Sequence, residues 1–482
     1  MALIVALGAM MVLGIAGTTV VYYSTANTRS AGYSKASGTS FQLAEAGLHE
    51  ALSVLTNQPA NDPTDPSLLA TRTSAYSTGN VTWGGTYDSA TAKWTITSVG
   101  RVANPSNLPP SEATRTITAK VPIRPVMTQT SQTEAWNYIF SYGTGSTCDM
   151  SLISSVNVET RLLVTGNLCV RDSANITGSQ TEVLVGGQTK IFGSAWIGQS
   201  SAKIARIDSV NGCRYESTTP HNPCTSVDKV HAVTATSSPD LLPPPNPNWD
   251  FWYSKAAPGP LNTCTGANKT GTPPTFDTDT TRNRSAPAGN LTPGSSYTCK
   301  VYLGTELLGE LSWNNSTKVL TVAGTIFIDG NLQVTQTGSY TGQATIYTSG
   351  SFYMGGSAQM CAVMAGGGDG CNFTTGSGGW NPNTRLLAIV TNGAGGFGGS
   401  VEADTTVKLD SSVQWQGALY GGPYRARILS SVRFAGPVIA DEVYVDSSLQ
   451  TEPFSTIVTS PTGLPGNNAV YALPDKLELF SS

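Results

Sequence analysis

The first 23 residues contain no charged side chain and read MALIVALGAMMVLGIAGTTVVYY. As a helix that rises 1.5 Å per residue, this segment would be about 34 Å long, which is enough to cross the hydrocarbon core of a bilayer. A cleavable signal peptide would carry a basic stretch before its apolar run, and this sequence shows none. The pattern therefore predicts a retained anchor or packing helix.

Apolar residues then continue at three- and four-residue steps, at Phe41, Ala44, Leu48, Leu52 and Leu55. This spacing places them on one face of a helix, with the charged residues elsewhere on its surface. The sequence predicts one nearly continuous helix over residues 1–56, about 80 Å long. Its first half is apolar throughout and its second half is amphipathic.

Three segments further along alternate apolar and polar residues in the two-residue period of half-buried strands. They are residues 81–83, 93–99 and 114–121. We predict that they form a small antiparallel sheet in a head domain over residues 57–135. This sheet would cover the apolar face of the amphipathic half-helix, which otherwise has no partner.

The remaining chain consists of short apolar strands broken by Gly, Asn, Ser and Thr. These strands form two blocks, over residues 136–236 and 311–482, and a Pro- and Thr-rich excursion over residues 237–310 separates them. The predicted fold class is therefore mainly β: a long N-terminal α-helix, a small antiparallel sheet, and a β-solenoid of the parallel β-helix kind.

An internal repeat supports the solenoid. Residues 407–420 align with residues 426–439 at an offset of 19 residues. The matched pairs include Leu409 with Ile428, Trp415 with Phe434, and Gly417 with Gly436. Repeats of this length without helices between the strands are typical of stacked solenoid coils. A β-sandwich, which also has short strands at close spacing, is the alternative.

All eight cysteines lie downstream of the apolar segment, so we expect disulfides in an extracytoplasmic compartment. Sequence alone leaves the connectivity open. The close spacing of neighbours favours four local loops, Cys148 with Cys169, Cys213 with Cys224, Cys264 with Cys299, and Cys361 with Cys371. The alternative is a zinc site built on Cys213, His221 and Cys224, but there is no C-x-x-C motif to support it.

The charge balance gives no support to nucleic-acid binding. The formal net charge is −4 and charged residues make up only 12% of the chain, so there is no basic excess to neutralise phosphates. We expect no nucleic-acid partner. With 51 glycines, the composition is typical of an extracellular protein rich in strands and turns.

The apolar start and the motif AEAGLHEAL at residues 44–52 resemble the N-termini of type IV pilin-like proteins, in particular minor pilins. The resemblance covers about a quarter of the chain. It implies a long helix that is held in the membrane before assembly, then packs with other pilin-like subunits in a filament core and carries a β-rich head. Besides the amphipathic stripe named above, the residues that we expect to take part in assembly are Leu3, Ile4, Val5, Leu7, Val12, Leu13, Ile15, Val20 and Val21.

Two departures from that family bear on the role of the subunit. The short basic leader that ends in Gly is absent, so we expect either that the sequence starts late, that the leader has been removed, or that it is not processed. The acidic residue near the start of major pilins is also absent, because Val5 and its neighbours are apolar. In pilins this acid is thought to contact the adjacent subunit, so its absence favours a minor or tip subunit. The downstream blocks resemble β-helical ectodomains that some bacterial surface proteins attach to pilin-like N-termini.

Several motifs suggest binding chemistry, and each has a simpler structural explanation. Residues 393–398 read GAGGFG but no helix follows to hold a pyrophosphate, so a turn is favoured. Asp277, Asp279 and Asp369 offer oxygen ligands for calcium without a recognised loop pattern. The aromatic cluster Trp249, Phe251, Trp252 and Tyr253 either stacks on sugars or caps an apolar core. We expect no metal and no cofactor.

A polysaccharide-active enzyme would need grouped charged residues on one face of the solenoid, and Asp410, Arg425, Arg427 and Arg433 are the nearest candidates. Asp410 aligns with Leu429 in the repeat, so the paired carboxylates of glycoside hydrolysis are not apparent. We predict a non-enzymatic minor or tip pilin at the cell membrane and the cell surface. The alternatives are a membrane-anchored adhesin for surface carbohydrate or a host receptor, and a β-helix enzyme.

Overall fold

The computed structural model describes residues 2–56, 67–88, 93–106, 109–122, 124–128, 131–249, 252–253, 266–276, 286–303, 306–367, 370–374, 376, 378–466, 468–472 and 478–481. The chain divides into two compact units. The first is Met1–Val126 together with Ala469–Ser482, and the second is Met127–Asn468. In sequence, the second unit is therefore an insertion into the first.

The predicted N-terminal helix is present as one element, α1, Ala2–Thr56. No proline interrupts it, so its backbone hydrogen bonds run from end to end. A second α-helix is the single turn Ser131–Glu134. Short 3-10 turns occupy Ala135–Asn137, Ser226–Asp228, Gly266–Asn268 and Phe397–Gly399.

The first unit packs the C-terminal half of α1 on an antiparallel sheet. In spatial order its strands are Arg72–Tyr76, Gly79–Asp88, Lys93–Ala103, Glu112–Pro122 and Glu478–Ser481. The alternation predicted from sequence is confirmed, because apolar residues such as Val81, Trp94 and Ile96 point to the helix and are buried. Two further strands, Arg124–Thr128 and Asn468–Ala472, pair where the chain leaves and re-enters this unit.

The second unit is a solenoid of parallel strands, as predicted, and this parallel pairing excludes the β-sandwich. Each full coil contributes a strand to a first, a second and a third face. The first face comprises Ala232–Thr236, Ile204–Ser209, Glu182–Val185, Leu162–Val164, Ile139–Ser141, Val438–Ala440, Ala418–Tyr420, Leu386–Thr391, Gly338–Thr348 and Val319–Ile328. The antiparallel strands Glu306–Asn314, Tyr297–Leu303 and Lys269–Thr270 continue it beyond the last of these.

The second face is a ten-stranded parallel sheet and the third is shorter. In stacking order, the second face comprises Cys213–Tyr215, Thr189–Ile191, Leu168–Val170, Met150–Ile153, Glu442–Asp446, Arg425–Leu429, Thr405–Leu409, Phe352–Met354, Leu332–Val334 and Gly289–Asn290. The third face comprises Trp196–Ile197, Asn175–Ile176, Asn157–Val158, Gln450–Glu452, Arg433–Ala435, Gln414–Gln416 and Gln359–Cys361.

The repeat aligned in the sequence is the actual stacking register. Leu409 lies beside Ile428 on the second face, and Trp415 lies beside Phe434 on the third. Residues with the same place in the repeat therefore bury the same core, coil upon coil. The serine pairs that follow the second-face strands turn the chain with positive φ angles, as at Ser430 and Ser431.

The two blocks stack on each other in an order that the sequence does not indicate. The last coil rests on the first, because Val438, Val445 and Thr451 pair with Ile139, Leu152 and Val158 on the three faces. One apolar ladder consequently runs through both blocks, through Val334, Met354, Leu409, Ile428, Val445, Leu152, Val170 and Ile191. All of these side chains are buried.

This stacking explains the excursion between the blocks. The first block ends at one end of the stack and the second begins at the other, so the chain must travel along the solenoid between them. Leu241 lies against Gly186, Pro245 accepts a hydrogen bond from the Tyr420 hydroxyl at 3.0 Å, and Trp249 packs on Phe327. The start of the excursion, residues 241–249, is thus a strap that runs along the solenoid and contacts coils far apart in the stack.

Three disulfides join described cysteines, Cys148–Cys169, Cys213–Cys224 and Cys361–Cys371. These are neighbouring pairs favoured by the sequence spacing. Cys299 is also disulfide-bonded, whereas Cys264, the partner predicted for it, lies outside the described residues. In place of a zinc site, Cys213 and Cys224 bond to each other, and His221 contacts Asp228 through Nδ1 at 2.8 Å.

Replacing Val445 with Asn tests the stacking of the two blocks. Val445 is fully buried between Ile428 and Leu152, so a polar side chain there should cost about 2–4 kcal/mol of unfolding free energy. Hydrogen exchange should show lost protection in residues 139–158 as well as in 438–452. Gln450→Ala, at an exposed position on the same coil, should leave both unchanged. Loss confined to residues 438–452 would contradict the stacking.

Candidate functional site

The N-terminal half of α1 is an exposed apolar surface. Within residues 2–23 the large apolar side chains, including all nine predicted to take part in assembly, are exposed to between 60 and 80%. The segment is long and apolar enough to cross a membrane, with a mean hydropathy of 2.2 and none of that stretch buried. Such a surface is stable only when lipid or other apolar helices cover it.

Three threonine hydroxyl groups of this half-helix are compatible with apolar surroundings. The Thr18 and Thr19 hydroxyls donate to the carbonyl of Ile15 at 2.9 and 2.7 Å, and the Thr25 hydroxyl donates to the carbonyl of Val21 at 2.7 Å. Each hydroxyl is therefore satisfied within its own helix. Tyr22 and Tyr23 end the apolar segment, in the position where aromatic residues mark a membrane interface.

The C-terminal half of α1 contacts the head sheet through a face that differs in part from the predicted stripe. Ala44, Leu48 and Leu55 are buried and Leu52 packs at the edge of the same core. Phe41 is instead exposed to 37%. Smaller residues lie at the centre of the contact, at Ala36, Ser40, Gly47 and Ala51.

Gly47 allows the helix to lie close to the sheet. A Cβ atom at this position would lie 2.5 Å from a methyl group of Val81 and would collide with the Ser98 hydroxyl. Gly100 on the facing strand has the same property, since a Cβ there would meet the carbonyl oxygen of Ser40. Two glycines, one on each element, therefore set the distance between helix and sheet.

A carboxylate links the helix to the first two strands of the sheet, Arg72–Tyr76 and Gly79–Asp88. Glu50 accepts hydrogen bonds from the Ser74 hydroxyl at 2.7 Å, from the Trp83 indole at 2.6 Å and from the Tyr76 hydroxyl. Burial raises the pKa of Glu50, but the three hydrogen bonds lower it by more, so the pKa lies below its ordinary value. No feature of the sequence around Glu50 identifies these partners.

The glycine-rich motif at residues 393–398 forms a turn and not a helix N-terminus. The Gly395 amide donates to the carbonyl of Thr405 at 2.8 Å, and the chain continues as the 3-10 turn Phe397–Gly399. A short turn has no aligned helix dipole to hold a pyrophosphate. The turn that the sequence favoured is therefore the structure observed.

The aromatic cluster belongs to the solenoid core. Trp249, Trp252 and Tyr253 are buried, and the Trp249 ring lies edge-on to Tyr347 with 5.0 Å between centroids. They cap an apolar core and do not present a flat exposed surface to a sugar. Phe251 and the predicted calcium ligands Asp277, Asp279 and Asp369 lie outside the described residues. Among those described, no group of three or more His, Cys, Asp or Glu is arranged to hold a metal ion.

Three of the four candidate charged residues come together on the second face, in a network of ion pairs. Arg425 contacts Glu442 at 2.7 Å and Asp404 at 2.8 Å, and Arg427 contacts Glu402 at 2.7 Å. Asp410 lies 3.9 Å from Lys408. Arg433 is elsewhere, on the third face, where it pairs with Glu452 at 2.6 Å.

The sequence matches no protein-family model, and no curated protein matches it. Among solved structures, the crystal structure of the competence-associated pilin ComZ from Thermus thermophilus is similar to this chain. The TM-score is 0.41 and the identity is 13%, over 92% of this chain and 98% of that one. A likeness at this level does not by itself establish the fold or the function of this chain.

Gly47→Ala tests the close approach of helix and sheet. The added methyl group should force the two elements apart and cost about 1–3 kcal/mol of unfolding free energy, more than the gain in helix propensity returns. Gly38→Ala is the matched control, because Gly38 lies on the same helix with open space around it. The control should be neutral or slightly stabilising in thermal unfolding of the full chain. Equal effects of the two substitutions would contradict the packing.

Glu50→Gln tests the carboxylate link through its pH dependence. Because the pKa of Glu50 is lowered by folding, the ionised group stabilises the first unit above its ordinary pKa of 4.5, and this stabilisation is lost as the pH falls through the folded-state pKa. Unfolding midpoints measured between pH 6 and pH 3 should therefore fall less steeply for the variant than for the wild type. Parallel pH profiles would exclude a contribution from Glu50.

Proposed function

We propose that this protein is a non-enzymatic, pilin-like subunit that α1 anchors in the membrane before it joins a filament, and that it displays the solenoid outside the cell. The observation that carries the proposal is the division of α1 into two halves. The first half is apolar and exposed, and the second is fixed to a head sheet in the same unit.

Membrane insertion is supported by the length and composition of the exposed half. The contact of α1 with its own head begins near Gly32, which approaches Pro105. About 30 residues, or roughly 45 Å of helix, therefore precede the first contact. A bilayer core of about 30 Å fits within that length.

Assembly with other pilin-like subunits is supported by the same surface. The apolar segment contains three glycines, Gly8, Gly14 and Gly17, and no described atom lies within 4 Å of where a Cβ would stand at any of them. Close packing between apolar helices uses small residues of this kind. Helices from other subunits would replace lipid around the segment when the filament forms.

A minor or tip position is supported by the size of the inserted unit. Residues 127–468 form the second unit, whereas neighbouring packed helices are separated by only about 8–10 Å. A solenoid of this size at every subunit would crowd the filament surface. A tip or sparsely distributed subunit avoids this crowding, and there the solenoid is free to contact surface carbohydrate or a host receptor.

The disulfides and the ion pairs support an extracytoplasmic, non-enzymatic solenoid. The described disulfides all lie in the second unit, which agrees with an oxidising compartment. Arg425 and Arg427 are held by carboxylates on the same face, which accounts for them as structural residues. A membrane-anchored adhesin outside any filament is the alternative.

Ile15→Asp tests anchoring and assembly. A carboxylate at the middle of the apolar segment is costly in a bilayer and in an apolar helix bundle, while Ile15 is exposed to 60% and lies outside the buried core of the head. When surface filaments are sheared from cells, we expect the wild type in the filament fraction together with a major pilin. The variant should be absent from both the filament and the membrane fractions, and its disulfides should remain intact.

Ser30→Asp is the control, since Ser30 is exposed and lies beyond the apolar segment; it should fractionate as the wild type does. Wild-type protein found only in membranes would exclude the filament role and favour the anchored adhesin. Wild-type protein in neither fraction would exclude the anchor as well.

A further inference from the structure

Three cationic side chains, Arg171, Lys190 and Arg214, lie close together on the second face of the solenoid, in the first block. Lys190 stands between Cys169 and Arg214 in the parallel register of three successive coils. Their neighbours along the strands, such as Val170 and Ile191, point into the core and are buried. The intervening side chains of this column therefore point outward, and adjacent coils bring them to about 4.8 Å spacing.

A disulfide-bonded loop holds this cluster in place. The Cys148–Cys169 disulfide fixes the loop over the face, and the Lys190 ammonium donates to the carbonyl of Thr147 at 2.8 Å. Lys190 is thereby exposed to only 9%. Arg171 joins the cluster from the other side, because its guanidinium donates to Cys148 Sγ at 3.1 Å and lies 5.2 Å from the Phe192 ring centroid.

These cations lack carboxylate partners. The Nε atoms of Arg171 and Arg214 are buried without a hydrogen-bond partner, and no ion pair joins Arg171, Lys190 or Arg214 to a carboxylate among the described residues. Asp149 is the carboxylate that raises the pKa of Lys190. Its two oxygens, however, already accept hydrogen bonds from the backbone amides of Ser146 and Asn167. Partly buried cations without a counter-charge, and with N–H groups left unpaired, destabilise a fold unless something binds them.

The second block of the same face pairs its cations with carboxylates, although the Nε atoms of Arg425 and Arg427 there are also without a hydrogen-bond partner. There, Lys408, Arg425 and Arg427 occupy comparable outward positions, and each contacts at least one carboxylate. In the first block, burial, then Arg214, and to a smaller extent Arg171 lower the pKa of Lys190, against a raising effect of Asp149. The cluster thus combines mutual repulsion with missing carboxylates, and a bound anion would relieve both.

We propose that Arg171, Lys190 and Arg214 form a binding site for a tetrahedral oxyanion, a phosphate or sulfate group, on the second face of the solenoid. A tetrahedral oxyanion presents several acceptor oxygens in a small volume, which suits two guanidinium groups and one ammonium that neighbouring coils bring to the same face. The site is independent of the role of α1 in anchoring and assembly.

Calorimetric titration of the full-length, detergent-solubilised protein with sodium phosphate and sodium sulfate tests the proposal, at constant ionic strength set with sodium chloride. We expect one ion per chain. Arg214→Gln should weaken binding about tenfold to a hundredfold, since it removes one charged hydrogen-bond donor. Arg427→Gln, which changes a paired arginine of the same face, should leave the affinity unchanged.

Thermal unfolding provides a second readout that does not depend on the heat of binding. Phosphate should raise the unfolding midpoint of the wild type and of Arg427→Gln but not that of Arg214→Gln. Arg214→Lys keeps the charge, so it should retain measurable binding. No binding of either ion, or equal binding by the wild type and Arg214→Gln, would overturn the proposal.

Glucose 6-phosphate and glucose 6-sulfate distinguish the sources of the anion. Binding of these esters as tightly as the free ions would support a site for phosphate or sulfate groups carried on a larger ligand. Binding of the free ions alone would support a site for the inorganic ion.

Discussion

One continuous helix, α1, has one half that packs on the head sheet and another half that is apolar and exposed. The rest of the structure depends on this division. The C-terminal half of α1 buries its small residues against the head sheet, with Gly47 and Gly100 setting the distance and Glu50 linking it to the first two strands. The N-terminal half has no such partner among the residues that the structure describes. An exposed apolar surface of this length requires lipid or the helices of other subunits.

The insertion of the solenoid into the first unit follows a second constraint, the need to close a stack made of two blocks. The last coil rests on the first, so the chain enters and leaves the solenoid at neighbouring coils. Because of this, the strand Glu478–Ser481 can return to the head sheet, where it pairs with Glu112–Pro122. The strap that begins near Leu241 makes this order of coils possible by carrying the chain from one end of the stack to the other.

Strong periodicities made much of the fold predictable from sequence. The apolar run and the three- and four-residue steps indicated α1, and the 19-residue repeat gave the register of Leu409 on Ile428. The stacking of Val445 on Leu152 was not predictable, because it joins residues far apart in sequence whose coils have no distinguishing pattern. The sequence pattern puts Phe41 on the packed face of α1 because the predicted stripe follows the large apolar residues. In the structure, small residues form the centre of that face. The cluster at Lys190 has no local motif, since three separate coils contribute its members.

Site-specific photo-crosslinking from position 13 of α1 tests the central claim most directly. Leu13 is exposed in the middle of the apolar segment, and in assembled filaments a crosslinker there should give adducts with another pilin-like subunit. The same crosslinker at Val227, an exposed position of the solenoid, is the comparison and should not give that adduct. Sheared filaments in which position 13 yields no adduct with a pilin-like subunit would contradict the account.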